Sequence, residues 1–444
     1  MGHLHGGAGS ARRALIIQAA KTSILLSLLF LVVYGSTNWF TAQRADVRTW
    51  YFAWELAIPF VPLMIFPYMS IDFFFFAAPF LCRDAREIRV FARRVTFSIL
   101  VAASFFLLLP LTLVYNRPPV GGWLGELIDA SCTAPFLMEY PHNLFPSLHI
   151  ALRTILANMY GRYTRGILRF ASHTWFSLIG FSTILAYQHH LVDVAGGFVL
   201  AGFAFYLFRE SDMRLPVVPN FRIGCYYAAV GAAVMALAPL IWPWGVFLFW
   251  PAAGMGMIAA GYFGLGPGIF RKADGRLPVS TRFVLAPVLI GQFLSLVYYR
   301  RQCRPWDEVV PGVWIGRKLN YREAAEAVRR GVTAVLDLTA EFSEARPFLA
   351  AAYRNVPILD LTAPTSEQLR ETTEFIKEHA SRGTVYVHCK IGYSRSAAVV
   401  GSYLIANGKA KTAEEAITMM RSVRPSLVVR AEAFTALNMQ IDRL

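Results

Sequence analysis

The chain has 444 residues, of which 56% are hydrophobic and only 16% are charged, and its formal net charge is +15. Soluble domains carry about 25% charged residues, so this composition argues against a wholly soluble protein. The arginines cluster in short segments between long apolar runs, which is typical of cytoplasmic loops in membrane proteins and not of nucleic-acid binding. We therefore expect a membrane-embedded protein with a soluble C-terminal part and no nucleic acid as partner.

Eight apolar segments are candidates for transmembrane helices, which need about 20 residues to cross a bilayer. They cover 22–41, 52–81, 95–115, 147–160, 173–188, 191–208, 223–242 and 245–264. Four arginine-rich segments, at 83–94, 162–169, 209–222 and 271–282, should lie in the cytoplasm. The weakly apolar segment 147–160 must then cross the membrane, which predicts about eight spans with both termini inside.

A further apolar segment, 283–299, has arginines on both flanks. A crossing helix should have only one such flank, so we expect an in-plane or re-entrant helix on the cytoplasmic face. The alternative is a ninth span, which would place the C-terminal part outside. The predicted organisation is a polytopic membrane domain at 14–265, a basic linker at 266–304 and a soluble domain at 305–444.

The soluble domain alternates strand-like and helix-like runs. Buried strands are predicted at 332–338, 353–359 and 384–389 from their short apolar, β-branched sequences. Thr365 and Gln368 form a capping-box pattern that predicts the start of a helix over 366–381. This alternation predicts an α/β domain with helices on the faces of a sheet.

A loop with phosphate-binding character follows the third predicted strand and reads His-Cys-Lys-Ile-Gly-Tyr-Ser-Arg-Ser at 388–396. Its successive N–H groups at a helix N-terminus can bind a phosphate dianion and favour a thiolate at Cys389. Arg395 can donate two hydrogen bonds to phosphate oxygens, and Ser396 can donate one to the sulfur. The other loop residues are predicted to bind substrate: Lys390, Ile391, Gly392, Tyr393 and Ser394.

Attack by the Cys389 thiolate on phosphorus would give a phosphocysteine intermediate, and the leaving oxygen would need a proton. Asp360, at the end of the second predicted strand, is the predicted general acid. Asp337 is the competing carboxylate, but it lies within the first predicted strand.

Residues 305–444 resemble the dual-specificity phosphatases in the Cys-x5-Arg loop, in Val-Pro-Ile-Leu-Asp at 356–360 and in Arg-Ser-Val-Arg-Pro-Ser at 421–426. The resemblance implies the cysteine-phosphatase fold and no cofactor or metal. The loop with Lys390 is also similar to that of the mitochondrial phosphatidylglycerophosphate phosphatases. The resemblance thus leaves open a phospholipid or a phosphoprotein as substrate.

Two polar segments interrupt the apolar half: Pro-Ser-Leu-His at 146–149 and His-His-Leu-Val-Asp at 189–193. Ionisable groups within a membrane are costly, so such groups are candidates for function. His189 could attack phosphorus, Asp193 could orient its ring, and His149 could protonate the leaving group. Arg117 and Ser147 are the predicted phosphate-binding residues of this second site.

These segments resemble the second and third motifs of the type 2 phosphatidic-acid phosphatases, over about residues 20–210. The pattern departs from that family at Pro110, where a lysine is expected, and at Thr183, where an arginine is expected. The same losses occur in a branch that resembles phosphodiester-transferring lipid synthases. The second site is therefore predicted to be a lipid phosphatase, a phosphotransferase or vestigial.

The whole chain resembles bacterial fusions of these two families. That resemblance implies a multi-pass protein of the bacterial inner membrane, with the cysteine phosphatase in the cytoplasm and the histidine site outside. The leading hypothesis is a phosphatase of phospholipid headgroups. The alternative is a membrane-anchored protein tyrosine or serine phosphatase. The sequence predicts no oligomeric state.

Overall fold

The computed structural model describes residues 4–133, 142–210 and 215–441. Arg214, which belongs to one of the arginine-rich segments, lies outside the described residues. The chain forms two compact units, residues 1–212 and residues 213–444.

The first unit is helical. Its helices are α1 (Leu4–Ala42), α2 (Ile65–Ala77), α3 (Ala85–Leu108), α4 (Gly122–Thr133), α5 (Leu148–Tyr163), α6 (Gly166–Leu185) and α7 (Leu191–Leu207). Helix α3 begins where the Asp84 carboxylate accepts hydrogen bonds from the N–H groups of Arg86 and Glu87. Its apolar face packs with α1, α5 and α7 around buried residues such as Ile99 and Phe106.

Five helices among the described residues are long and apolar enough to cross a membrane. They cover Ser10–Ala42, Pro62–Leu81, Ala85–Leu108, Phe221–Ile241 and Trp244–Leu265. The shorter helix Leu191–Leu207 is also apolar. Helices α5 and α6 occupy the predicted spans 147–160 and 173–188 without meeting these limits. The count of about eight spans therefore stays a prediction.

The second unit begins with four helices and continues into a sheet with further helices. The first four are α8 (Phe221–Leu237), α9 (Phe249–Ala260), α10 (Val279–Val284) and α11 (Ala286–Arg300). The others are α12 (Tyr321–Arg329), α13 (Arg346–Leu349), α14 (Ser366–Ala380), α15 (Ser394–Ala406), α16 (Ala413–Val423) and α17 (Ala431–Ile441). Helices α8 and α9 form a hairpin, and the Asn220 N–H donates to the Tyr262 carbonyl at its open end (3.0 Å).

A five-stranded sheet forms the centre of the C-terminal α/β domain. Its strands are β1 (Trp306–Val310), β2 (Val313–Gly316), β3 (Val332–Thr339), β4 (Ala352–Ile358) and β5 (Thr384–His388), in the order β1-β2-β5-β3-β4. Strand β1 is antiparallel to β2, and the other neighbours are parallel. The carboxyl ends of the parallel strands therefore meet at one edge, with β5 in the middle.

Both faces of the sheet are covered by helices, as the alternating sequence predicts. One face packs against α14, α15, α16 and α17, with Leu336, Val387 and Val400 fully buried between them. The other face packs against α12 and α13 through Val335, Phe348 and other buried residues. The three predicted strands and the helix at 366–381 are confirmed to within a residue or two, and Thr365 caps α14.

The predicted domain bounds follow composition, whereas the two compact units follow contacts. The last two candidate spans, in α8 and α9, fall within residues 213–444 together with the α/β domain. A composition change near residue 265 is thus not a break in packing.

Candidate active site

The loop after β5 turns directly into α15 and brings the Cys-x5-Arg residues together at the edge where the parallel strands end. Cys389 follows the last residue of β5, and Arg395 lies in the first turn of α15. Gly392 has φ +75°, and a Cβ there would lie 2.3 Å from the Gly316 carbonyl oxygen. Only glycine fits this turn, because another residue would be both strained and in collision with β2.

Cys389 is set up as a thiolate. Burial of the thiol, which is 3% exposed, opposes ionisation, but the Arg395 charge outweighs this effect. The Ser396 hydroxyl and the N–H groups of Ile391 and Ser396 lie near the sulfur and act in the same direction. The pKa of Cys389 therefore lies below the ordinary thiol value, which favours the nucleophilic form.

Arg395 is buried and held from several sides. Its Nη2 donates to Glu341 Oε1 (2.8 Å) and Asp360 Oδ1 (3.1 Å), and its Nη1 donates to the Ile358 carbonyl (2.9 Å). Glu341 also accepts from Nη1 through Oε2 at 3.2 Å. Burial opposes the charge, but the two carboxylates and the Cys389 thiolate raise the pKa of Arg395 well above its usual value.

Asp360, the predicted general acid, lies beside the phosphate-binding loop. Its Oδ1 contacts Arg395, and its Oδ2 lies 3.7 Å from Lys390 Nζ. Burial favours the neutral acid, but the Arg395 and Lys390 charges outweigh it and lower the pKa of Asp360. The competitor Asp337 is fully buried within β3, where it accepts from Lys272 and Tyr353. The geometry thus favours Asp360 over Asp337.

The remaining loop residues are held by contacts with residues from other parts of the chain. The Ile391 carbonyl accepts from Arg424 Nη2 (3.0 Å), and the Ser394 hydroxyl accepts from the Arg430 N–H (3.0 Å). The Tyr393 ring lies 5.9 Å below the Arg424 guanidinium, and Lys390 Nζ donates to Gln292 Oε1 (2.7 Å). The conformation of the loop is therefore set by residues outside it.

A buried group of charged residues lies beneath the loop. His388 Nε2 is 2.8 Å from Glu344 Oε2 and 3.8 Å from Asp337 Oδ1. These three residues have the ligand types and spacing of a metal site. However, Lys272 pairs with Asp337 and Lys318 pairs with Glu344 (2.9 Å), so cationic side chains already neutralise the carboxylates. The arrangement fits an ion-pair network and not a metal centre.

Two further residues of this site were not predicted from the sequence. Glu341 orients Arg395, and Arg424 joins the loop to β1 through Asp307 Oδ2 (2.7 Å). Glu341 follows the end of β3, and the carboxyl ends of parallel strands share one edge of a sheet. The position of Glu341 just after a parallel strand is therefore the sequence signal that could have predicted its place in the site.

The predicted residues of the second site gather at the start of α5 and α7. Ser147 caps α5 by accepting from the Ile150 N–H, and its own N–H donates to the Asp193 carbonyl (2.9 Å). Asp193 Oδ2 lies 3.5 Å from His189 Nδ1, and both residues are buried. The two motifs thus meet through Ser147 and Asp193.

Arg117 and His149 have separate contacts. Arg117 Nη2 donates to the Tyr187 carbonyl (3.1 Å), two residues before His189. The His149 ring stacks on Tyr68 with centroids 4.2 Å apart, and its buried Nε2 has no hydrogen-bond partner among the described residues.

The fold and the Cys-x5-Arg loop define a cysteine-dependent phosphatase domain. The dual specificity phosphatase catalytic domain family matches residues 313–440. Human dual specificity protein phosphatase 26 is 31% identical over 152 residues, which cover 31% of this chain and 72% of the relative. The chain therefore belongs to the dual-specificity phosphatase family and is a phosphatase.

Two relatives from Arabidopsis thaliana carry a lipid in their names. Phosphatidylglycerophosphate phosphatase PTPMT1 is 31% identical over 142 residues, which cover 30% of this chain and 41% of the relative. Phosphatidylglycerophosphate phosphatase PTPMT2 is 31% identical over 157 residues, which cover 33% and 67% of the two chains. This chain spans less than half the length of PTPMT1, so the similarity concerns the catalytic domain.

Proposed function

We propose that this protein is a multi-pass membrane phosphatase that hydrolyses phosphate monoesters of phospholipid headgroups through a phosphocysteine intermediate. The observation that carries the proposal is that the phosphatase domain and two candidate membrane spans belong to one compact unit. A catalytic domain that packs against membrane spans is held at the bilayer surface. The phosphate esters present there at the highest local concentration are those of membrane lipids.

In the first step the Cys389 thiolate attacks phosphorus. A P–S bond forms as the P–O bond to the alcohol breaks, and the leaving oxygen takes the proton of Asp360. Arg395 and the loop N–H groups bind the phosphoryl oxygens. Because the bound dianion draws Arg395 away from Asp360 and adds negative charge, the pKa of Asp360 rises and the acid becomes protonated.

In the second step water attacks the phosphocysteine. The Asp360 carboxylate takes the proton of the water, the P–S bond breaks, and inorganic phosphate leaves. The departing thiolate is stabilised by the Ser396 hydroxyl and by Arg395, which also hold the resting thiolate. No cofactor takes part in either step.

The charge around the catalytic domain favours an anionic lipid over a phosphoprotein. Arg276, Arg282 and Arg301 lie in the basic linker between the spans and the domain. Arg300 and Arg304 lie in the same linker but pair with Glu323 and Asp307. Each basic side chain near an anionic bilayer contributes about 1 kcal/mol to binding at its surface. The names of the two Arabidopsis relatives support the same substrate class.

We also propose that His149, His189 and Asp193 form a second phosphoryl-transfer site on lipid, on the outer side of a bacterial inner membrane. The contact of His189 with Asp193 and the contact of Ser147 with Asp193 support it. The alternative for the whole protein is a membrane-anchored protein phosphatase. The human relative, named a dual specificity protein phosphatase, favours that alternative.

The test is phosphate release by the full-length protein in mixed micelles. Phosphatidylglycerophosphate, phosphatidic acid, a phosphatidylinositol phosphate and a phosphotyrosine peptide are compared for wild type, Cys389→Ser and His189→Ala. We expect turnover of at least one lipid that Cys389→Ser abolishes. Turnover of the peptide alone would contradict the lipid assignment. Lipid turnover that His189→Ala lowers and Cys389→Ser spares would belong to the second site.

A further inference from the structure

The segment that carries Asp360 is hydrogen-bonded to the open end of the α8–α9 hairpin. The Tyr262 hydroxyl donates to the Asp360 carbonyl (2.8 Å), and the Asn220 side-chain amide donates to the Leu361 carbonyl (2.8 Å). Asn220 immediately precedes the candidate span Phe221–Ile241, and Tyr262 lies near the end of Trp244–Leu265. Two consecutive carbonyls of the acid segment are therefore held by residues at the ends of two candidate spans.

Leu361, between these two hydrogen bonds, has a backbone conformation that leucine rarely adopts. Its φ is +60°, in the left-handed region. This conformation is unfavourable for a residue with a Cβ and persists only where the surroundings impose it. The Tyr262 and Asn220 hydrogen bonds are such surroundings, because they fix the carbonyls on either side of the Leu361 N–Cα–C unit.

Helix α11 makes a third contact, to the phosphate-binding loop. Gln292 Oε1 accepts from Lys390 Nζ (2.7 Å), and Gln292 Nε2 donates to the Tyr227 hydroxyl of α8 (3.4 Å). The Tyr227 ring stacks on Tyr262 with centroids 5.7 Å apart. Gln292 thus holds the ammonium group that lies 3.7 Å from Asp360.

We propose that Asn220, Tyr262 and Gln292 are positioning residues of the phosphatase, through which the hairpin and α11 place the general acid and Lys390 for reaction. The inference rests on the proposed function in one respect, the assignment of Asp360 as general acid. The inference goes beyond the proposed function because it assigns residues at the ends of the candidate spans a role in positioning the general acid. The spans then serve catalysis directly and do more than hold the domain at a surface.

The first test uses the dependence on the leaving group. Tyr262→Phe keeps the stacked ring and removes the hydrogen bond to Asp360. Asn220→Ser keeps a residue that caps α8 well and removes the amide donor. For each full-length variant in micelles, kcat/KM is measured with p-nitrophenyl phosphate, whose leaving group needs no proton, and with an alkyl phosphate monoester lipid, whose leaving group does.

We expect kcat/KM for the alkyl ester to fall about 10-fold or more in both variants, because a displaced acid loses part of its roughly 10²–10⁴-fold contribution. The value for p-nitrophenyl phosphate should stay within about two-fold of wild type. Tyr226→Phe is the matched control, since Tyr226 is an exposed tyrosine of α8 in the same hairpin. Equal loss on both substrates, or no loss on either, would overturn the inference.

Asp360→Asn separates the inference from the proposed function. It should show the same selective loss, only larger. If it shows none, then the general-acid assignment fails and the inference fails with it. If Asp360→Asn shows the selective loss and Tyr262→Phe does not, the inference alone is wrong.

The second test uses Gln292→Leu and the pH dependence of kcat for the alkyl ester, because kcat reports the protonation of Asp360 in the complex with substrate. Without Gln292, Lys390 is free to approach the Asp360 carboxylate, which favours its ionised form. The alkaline limb should therefore move to lower pH, whereas Gln302→Leu, at an exposed position after α11, should leave it unchanged. An alkaline limb that stays in place in Gln292→Leu would contradict the role given to Gln292.

Discussion

Glu341 holds Arg395 through both of its carboxylate oxygens and is only 3% exposed. Hydrogen bonds to charged groups contribute about 1.5–3 kcal/mol each, more than neutral ones. Without Glu341, Arg395 would keep Asp360 and the Ile358 carbonyl as partners. At the scale of single residues, the orientation of Arg395 thus depends on a residue outside the Cys-x5-Arg loop.

Glu341→Gln should lower kcat/KM for phosphate monoesters by about 10- to 100-fold, the equivalent of about 1.4–2.8 kcal/mol. The glutamine amide presents a donor to the guanidinium, so Arg395 loses its fixed position. Steady-state kinetics on the full-length protein measure the effect.

Glu371→Gln is the control, because the Glu371 side chain is 44% exposed and contacts Arg354 only at 3.4 Å. Such surface pairs contribute about 0–1 kcal/mol. A kcat/KM within two-fold of wild type in Glu341→Gln would show that Arg395 does not need this carboxylate.

The sequence predicts Cys389, Arg395 and Asp360 because their roles depend on local order, a strand end followed by a helix start. It does not predict Arg424 or Gln292, since each reaches the site from a distant part of the chain, and it indicates Glu341 only by its place after the end of β3. Asp337 and Asp360 follow similar apolar runs, and the sequence favours Asp360 because Asp337 lies within a strand. The contacts of Asp337 with Lys272 and Tyr353 agree with that choice.

At the scale of elements, the central strands β3 and β5 are joined below the active site by the ion-pair network. Burial alone would lower the pKa of His388, but Glu344 and Asp337 outweigh it and raise the pKa. Burial opposes ionisation of these carboxylates as well, yet His388 and the lysines lower the pKa of both. Each charged form is therefore favoured by folding.

Because its pKa is raised by folding, His388 contributes stability fully below its ordinary pKa of about 6.5 and loses it as the pH rises through its folded-state pKa. The two carboxylates contribute stability above about pH 4, and this contribution is lost as the pH falls through their lowered pKa values. The thermal midpoint of wild type should therefore decrease as the pH is raised above about 6.5. In His388→Gln the decrease of the thermal midpoint with rising pH should be smaller.

Thermal unfolding of the purified protein at several pH values measures this difference. His379→Gln, at a half-buried histidine of α14, is the control and should keep the wild-type slope. An equal slope in wild type and in His388→Gln would contradict the role of His388 in the network.

Strands β3 and β5 are predictable from their apolar, β-branched sequences, and both are mostly buried. Strand β4 is predictable from the apolar residues at its carboxyl end, but its first half is exposed or half-buried and not buried as predicted. Strands β1 and β2 are not predicted, since they are short and carry exposed or half-buried residues such as Glu308 and Trp314. The order of the strands depends on the crossover connections and lies beyond any local pattern.

At the scale of the whole molecule, composition and packing divide the chain at different places. Hydropathy changes near residue 265, where the apolar runs become shorter and more polar. The compact units divide between residues 212 and 213, because α8 and α9 pack in the same unit as the α/β domain. Sequence alone could not predict this, since an apolar helix that faces lipid and one that holds an active-site loop have similar compositions.

The predicted topology places the phosphatase domain in the cytoplasm. A tag at Leu444 should then resist protease added to intact bacterial spheroplasts and be cleaved after lysis. This orientation is expected because arginine-rich segments stay on the cytoplasmic side of a membrane. Cleavage in intact spheroplasts would contradict the eight-span topology and favour a crossing helix at 283–299.

The proposed function depends on Cys389 as the nucleophile toward a lipid phosphate monoester. The most direct measurement is mass spectrometry of the Cys389 peptide after rapid quenching of the full-length protein mixed with phosphatidylglycerophosphate in micelles. We predict a peptide heavier by one phosphoryl group at Cys389, formed at least as fast as phosphate is released and absent in Cys389→Ser. Phosphate release from the lipid with no phosphorylated Cys389, or with the label on His189, would contradict the account.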